Sequence, residues 1–510
     1  LVPAAVVAEE VSRPAGLNGT ASVSVNAGPC VYDTVSEAMA NASDGDTIVI
    51  RPGFRAEFIG KIDKDLTLRQ GQAGAPGNTG CENFGSTPAD LTFDAKTFSN
   101  DVDGGMAEVL AGRTVTVRSM TWRQAFAERG GLLAIQEGSD VPLARVVLEL
   151  GTASEAGGLI YAAGTASNPI FLQIDGLGAL REGTSTGTGG AIHAEHTVIN
   201  IERTDIESNQ SQLDGGGLYQ QLGSLSLDRV DFVGNYSISD GGGAYIDSVH
   251  DLAIIDSQFE NNGAADQGGA IKFENSNDVL IGGGSRFADN AADNEGGAVH
   301  FSASGPPGLQ IESTEFDGNI GAFYGGAIWV EAPFFTIGAQ SVFLNNRSNR
   351  GGGLFSKTKN AKTATISGAT FRGNQAFLIG DNGGRGGGLY LEDPMNFLMQ
   401  NVIIDQNEAE STGGGVWAFG SSLNTNRLEL TNVAVSANTA GEPGGGISAQ
   451  NVDLLLSQSI IESNTSDESG GGLFLLNCFT TLDGVIVNAN TANFSGGGGM
   501  RISGGFARIE

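Results

Sequence analysis

Basic residues are scarce in this chain. Lysine and arginine total 27 against 58 aspartates and glutamates, a net charge of −31 over 510 residues. A surface that acidic repels phosphate backbones and argues against a nucleic-acid partner. It suits solubility and divalent cations. Cysteine is nearly absent, with three residues. Cys30 and Cys81 fall in one N-terminal region and can pair, as in an exported protein; the alternative is two buried thiols. Cys478 is left over and reads as core. Proline is rare, at 13 residues, and glycine, though abundant at 79, has no three-residue period, which excludes collagen. No run of 18 apolar residues occurs, so no transmembrane helix is expected. P-loop, zinc-ligand and nucleophile-elbow patterns are missing as well. The first residue is Leu1, which reads as a leader removed or a trimmed start. A hydrophobic content of 40% is enough to bury a core.

Glycine is where the sequence is rich, and it is placed periodically. The last glycine before each aliphatic strand start recurs from Gly190 to Gly498 at intervals of 26–29 residues, with two longer ones of 31 and 35. Ahead of these glycines stands an asparagine: Asn209, Asn235, Asn262, Asn290, Asn319, Asn346, Asn374, Asn407, Asn438, Asn464 and Asn490. Three residues before each asparagine is a large apolar side chain, phenylalanine at 232, 259, 287, 316, 343 and 371 and Ile or Val elsewhere. A fixed period of this length marks a solenoid. Runs such as SLSLDRV and RLELTNV alternate with the period of a strand, not a helix.

The expected fold is therefore all-β: a single-stranded parallel β-helix of about 26–29-residue coils, each with three short strands. Equivalent residues stack at a rise of about 4.8 Å per coil. Phenylalanines then form an interior apolar ladder, and each asparagine amide donates to the next. The glycines supply bends of positive φ and close packing between coils. Regular repeats span 185–510 and irregular coils 72–184, after an N-terminal extension over 1–29 and a cap with first coils over 30–71. In that cap Thr34 and Glu37 form a capping box for a short helix with Val35, Ala38 and Met39 on one face, placed to plug the solenoid end. RISGGFARIE stops in mid-coil, which reads as truncation, processing or packing against something.

Aligning the strand after the glycines gives candidate binding residues. Its first position is uniformly aliphatic and must face in, so the next faces out. That outer column reads Tyr219, Tyr245, Lys272, His300, Trp329, Phe355, Tyr390, Trp417, Ser448 and Phe474. Seven aromatics in ten positions form an expected exposed stripe, either a platform for a partner or a structural stack. Two positions on, Gln221, Asp247, Glu274, Ser302, Glu331, Lys357 and Glu392 align. Asp247 and Glu274 are close enough to hold a weak Ca²⁺, and Lys272 beside them could serve as a base; the plainer reading is a solvated charged face.

The motifs FVGN, FENN, FADN, FDGN, FLNN and FRGN, paired with GGAI at 189–192, 268–271 and 325–328, resemble the polymorphic outer-membrane proteins of chlamydiae over roughly residues 185–505. That resemblance implies a secreted β-helix displayed at the cell surface, often as an adhesin. The family's C-terminal barrel strands are not visible in this sequence. The stretch TVSEAMANASDGDTIVIRPGF resembles the opening of pectin-lyase-like domains, which implies a right-handed coil. Together these point to a non-enzymatic extracellular or cell-surface protein for adhesion, display or assembly through its aromatic face. Its partner would be a glycan, a protein or copies of itself, with no cofactor unless Ca²⁺. The rival is a carbohydrate-active enzyme resembling a polysaccharide lyase. A third reading is a subunit of an extracellular filament or coat.

Overall fold

A coil of this length cannot satisfy its own backbone, so each strand must pair with its equivalents one coil before and one coil after. The computed structural model describes residues 20–23, 32–71, 91–95, 103–306, 308–357, 363–379, 382–421 and 426–510. Within them the chain is a parallel β-solenoid of about 15 turns of roughly 27 residues. Ile328–Glu331, for example, pairs in register with Val299–Ser302 on one side and Leu354–Lys357 on the other.

A coil carries four short strands rather than the expected three. In one they are Ile328–Glu331, Phe334–Ile337, Val342–Leu344 and Arg347–Arg350. Strands of the first three kinds join one 42-stranded sheet, and the fourth kind builds a separate 14-stranded sheet. In many coils the corners are single residues in the left-handed region. In the coil that starts at Ile192 they are His196 (φ 44°), Arg203 (φ 48°), Ser208 (φ 55°) and Gly215 (φ 71°). Short polar residues recur at the third corner, as at Asn261, Asp289 and Asn345, because they tolerate that backbone best.

The two interior ladders form as the repeat predicts. Phe232, Phe259, Phe287, Phe316, Phe343 and Phe371 are fully buried, with ring centroids 4.4–5.0 Å apart from one to the next. Each ladder asparagine from Asn235 to Asn464 uses all its side-chain capacity. Asn290 Nδ2 donates to Asn319 Oδ1 (2.9 Å) and to Phe259 O (2.8 Å). Its Oδ1 accepts from both Asn262 N and Asn262 Nδ2, each at 3.0 Å. The pattern starts where Gly183 N donates to Asn209 Oδ1 (2.8 Å) and runs on to Asn490.

At the N-terminal end α1 (Val35–Asn41) buries Val35, Ala38 and Met39. Glu37 N donates to Thr34 Oγ1 (3.1 Å), but the return bond to the Glu37 carboxylate comes from Asp33 N (3.3 Å), one residue earlier than in a capping box. Lys64 Nζ donates to Met39 O and Ala40 O, satisfying carbonyls of the last turn. The coils between this cap and residue 184 follow the same wall. Glycine pairs 104–105, 130–131 and 157–158 make the same turn, with φ of 69°, 64° and 67° at the first of each pair.

Candidate functional site

The outer column assigned from the sequence is one register line. Tyr161, His193, Tyr219, Tyr245, Lys272, His300, Trp329, Phe355, Tyr390, Trp417, Ser448 and Phe474 sit above one another in successive coils. Alternation along the strand turns these side chains away from the main core. Rings stack nearly parallel along much of the line. Tyr219 lies 5.4 Å from Tyr245, His300 4.2 Å from Trp329, and Phe355 5.0 Å from Tyr390.

The expectation that these rings are exposed is overturned. Trp329 and Trp417 are each 7% exposed, Tyr390 5%, Phe355 2% and Tyr245 9%; Tyr219 and Phe474 are half-buried. Trp329, Phe355, Tyr390 and Trp417 form a second apolar cluster against Tyr324 and Phe419. The cause is the glycine turn. With φ near 63° at Gly325, the segment arriving at each turn folds back over the outer face of the strand leaving it. A Cβ on Gly325 would lie 2.2 Å from Ile328 O, and one on Gly326 2.2 Å from Gly352 O, so both glycines are required.

The residue just before each turn therefore lands on the ring column. Thr188 Oγ1 is 2.7 Å from His193 Nδ1, and Glu295 Oε2 is 3.2 Å from His300 Nε2, five residues on in both cases. This covering line includes Asp214, Asp240, Gln267, Glu295, Tyr324, Arg350, Arg385 and Thr412. Sequence reading missed it. The constant offset of five between it and the ring column was the available signal.

Where the rings give way to Lys272 and His300, the cover is acidic. Lys272 Nζ lies 2.7 Å from Asp240 Oδ2 and 3.8 Å from Glu274 Oε2, and 5.6 Å over the Tyr245 ring. Tyr245 OH donates to Glu274 Oε2 (2.6 Å). Burial, then the Glu274 contact, drives the Tyr245 phenol well above its ordinary range. Burial pushes Tyr219 up to about 12 and raises the Asp214 carboxyl. Burial also lowers His300, against the opposing pull of Glu295.

Asp247 and Glu274 stand in adjacent coils, as the alignment placed them. Asp247 accepts from Gln221 Nε2 (2.8 Å) and Ser248 Oγ (2.9 Å), while Glu274 is taken by Tyr245 and Lys272. Among the described residues no group of three or more His, Cys, Asp or Glu is arranged to hold a metal. Further along, Lys357 Nζ pairs with Glu392 (2.8 Å). Cys478 is buried and donates to Ala449 O, with its thiol pushed up by burial. Cys30 and Cys81 lie outside the described residues. No helix among the described residues is long and apolar enough to cross a membrane.

The Chlamydia polymorphic membrane protein repeat matches residues 256–274, the stretch that holds Phe259, Asn262 and the Gly268–Gly269 turn. No curated protein matches the chain. Among solved structures, the catalytic domain of a GH87 alpha-1,3-glucanase in complex with tetrasaccharides is similar at 10% identity and a TM-score of 0.30, covering 99% of this chain and 70% of that one. A mannuronic acid specific polysaccharide family 6 lyase from human gut microbiota is similar at 10% identity and a TM-score of 0.30, covering 88% and 84%. A rhamnogalacturonan lyase follows at 10% identity and 0.26, covering 74% and 82%. Likenesses this distant carry no substrate or chemistry to this chain.

Proposed function

We propose that the chain is an exported, surface-displayed solenoid, a stiff scaffold that presents its outer corners to a glycan or protein partner and performs no catalysis. The observation that carries this reading is the polymorphic membrane protein repeat at 256–274, whose Phe, Asn and glycine-turn elements recur through the ladder coils. Repeats that satisfy the ladder amides from one coil to the next make a rod whose coils support one another, a suitable stalk for display. The buried ring column belongs to the wall, so contact falls to the covering line and the charged columns beside it. Antibody raised against the folded chain should label intact source cells, and added protease should remove the epitope without lysis. An epitope protected until cells are broken overturns the reading.

The lyase reading finds less support. Its candidate base, Lys272, has its ammonium between Asp240 and Glu274 with a side chain only 11% exposed. An unsaturated product absorbing in the ultraviolet, formed from an acidic polysaccharide and lost in Lys272→Ala, would reinstate it.

A further inference from the structure

Many arginines of the wall are matched by carboxylates, as Arg203 is by Asp175 and Glu202 and Arg229 by Glu202 and Asp228, while the exposed Arg347 lies over the Phe377 ring. Arg350 and Arg385 are different. They occupy the covering line in consecutive coils and form a parallel bridge with each other. Among the described residues neither meets a carboxylate. The Arg350 guanidinium lies 5.2 Å over the Tyr324 ring and donates to Tyr324 OH (3.1 Å); that of Arg385 lies 5.7 Å over the Trp417 ring. Ring contact positions both cations without neutralising them.

The polar atoms around them are also unsatisfied. Arg350 Nε, Arg385 Nε and, in the next coil of the same line, Thr412 Oγ1 are all buried without a hydrogen-bond partner. Each such atom costs about 1–3 kcal/mol, so three within one corner leave polar capacity there that the wall itself does not use. Both arginines are half-buried, and none of their outer amino groups is among the buried unpartnered atoms. Burial pushes the Tyr390 phenol up, and the charges of Arg350 and Arg385 oppose that push.

We infer that Arg350, Arg385 and Thr412 form an oxyanion site that takes a single carboxylate or sulfate group of an acidic sugar on an otherwise neutral glycan. Arg350 and Arg385 leave adjacent strands, about 4.8 Å apart, a spacing that one oxyanion spans when both guanidiniums turn toward it. The net charge of −31 selects against a polyanion, which every other face would repel. Phe323, 42% exposed, precedes Tyr324 in the chain and leaves an apolar ring open to solvent at this corner of the wall. The inference does not depend on where the protein is displayed.

Calorimetric titration of the full chain at low ionic strength tests it, with glucuronic acid, inorganic sulfate, glucose and polygalacturonate as titrants. Glucuronate and sulfate should compete for one site, and glucose should not bind. Arg350→Ala with Arg385→Ala should weaken glucuronate by about tenfold or more. Arg350→Lys with Arg385→Lys should also lose affinity, because point charges cannot reproduce the two forks. Thr412→Val, which keeps both charges, serves if the double alanine variant melts early, and should still weaken binding. No glucuronate binding, unchanged binding in these variants, or tighter binding of polygalacturonate per carboxylate would each overturn the site.

Discussion

The coils before residue 184 and those after 209 share one wall but differ in what stacks inside it. Register runs Phe126, Thr152, Thr184, Gln210 across the boundary, so the position filled by Asn209 is Ala125, Gly151 and Gly183 in the earlier coils. The phenylalanine position is likewise Trp122, Leu148 and Leu180, then Ile206 and Phe232. The earlier coils hold together through glycine corners, apolar packing and surface ion pairs such as Arg129 with Asp103 (2.7 Å) and Arg181 with Glu149 (2.7 Å). The comparison separates two jobs. Corners and strand alternation set the register everywhere, and the amide and ring ladders add to a register that is already fixed.

The sharpest way to break that separation is at the corner both regions share. Gly130 and Gly325 have φ of 64° and 63°, and a Cβ on either would lie 2.2 Å from a carbonyl, that of Leu133 or Ile328. Gly130→Ala and Gly325→Ala should therefore each destabilise their own coils by about 3–5 kcal/mol, by steric conflict and left-handed strain together. Native-state amide exchange reads this coil by coil. A large loss in one region with none in the other would show that the two walls are not equivalent.

The next effect belongs to the later coils. Trp329→Ala and Trp417→Ala remove buried rings and should cost about 2–4 kcal/mol each, whereas the earlier coils carry Lys61, Glu108, Ala134 and Tyr161 on this line, with a single ring among them. Unchanged melting would mean that the rings contribute nothing to the wall and would restore the exposed platform. A smaller loss, about 1–3 kcal/mol, is expected for Asn290→Leu, which strips acceptors from Asn262 and donors from Phe259 O and Asn319. If Asn290→Leu melts with the parent, the ladder is ornament on a wall that stands without it, like that of the earlier coils.

The legible and illegible parts of the molecule divide on physical grounds. Phe259 and Asn262 could be placed from sequence because in a solenoid each meets copies of itself, so the repeat states the contact. The fourth strand was missed because pieces such as Tyr236–Ser237 are too short to show alternation. Alternation does tell which side of the strand Trp329 leaves from, but not what lies over it. That depends on the angle at Gly325, which brings in residues five positions upstream. The oxyanion corner was hidden for the same reason, since Arg350 and Arg385 meet only when coils stack.

The smallest expected effect is a pH dependence centred on His300, in the stretch where the ring line turns ionic. Its imidazole stacks on Trp329, meets Glu295 through Nε2, and has Lys272 and Asp240 near it. Burial holds its folded-state pKa below the ordinary value, so the folded protein resists the proton that the unfolded chain accepts near pH 6.5. The sign follows. The stability linked to this group is fully present above about pH 6.5 and is lost as pH falls toward the lower folded value. A phenylalanine fits the same line, as Phe355 and Phe474 do, and does not titrate. Carboxylate titration is common to parent and His300→Phe and cancels in their difference. The melting temperature of His300→Phe minus that of the parent should rise between about pH 8 and pH 5.5. A difference that stays flat over that range would mean that His300 accepts its proton in the folded state as readily as in the unfolded one.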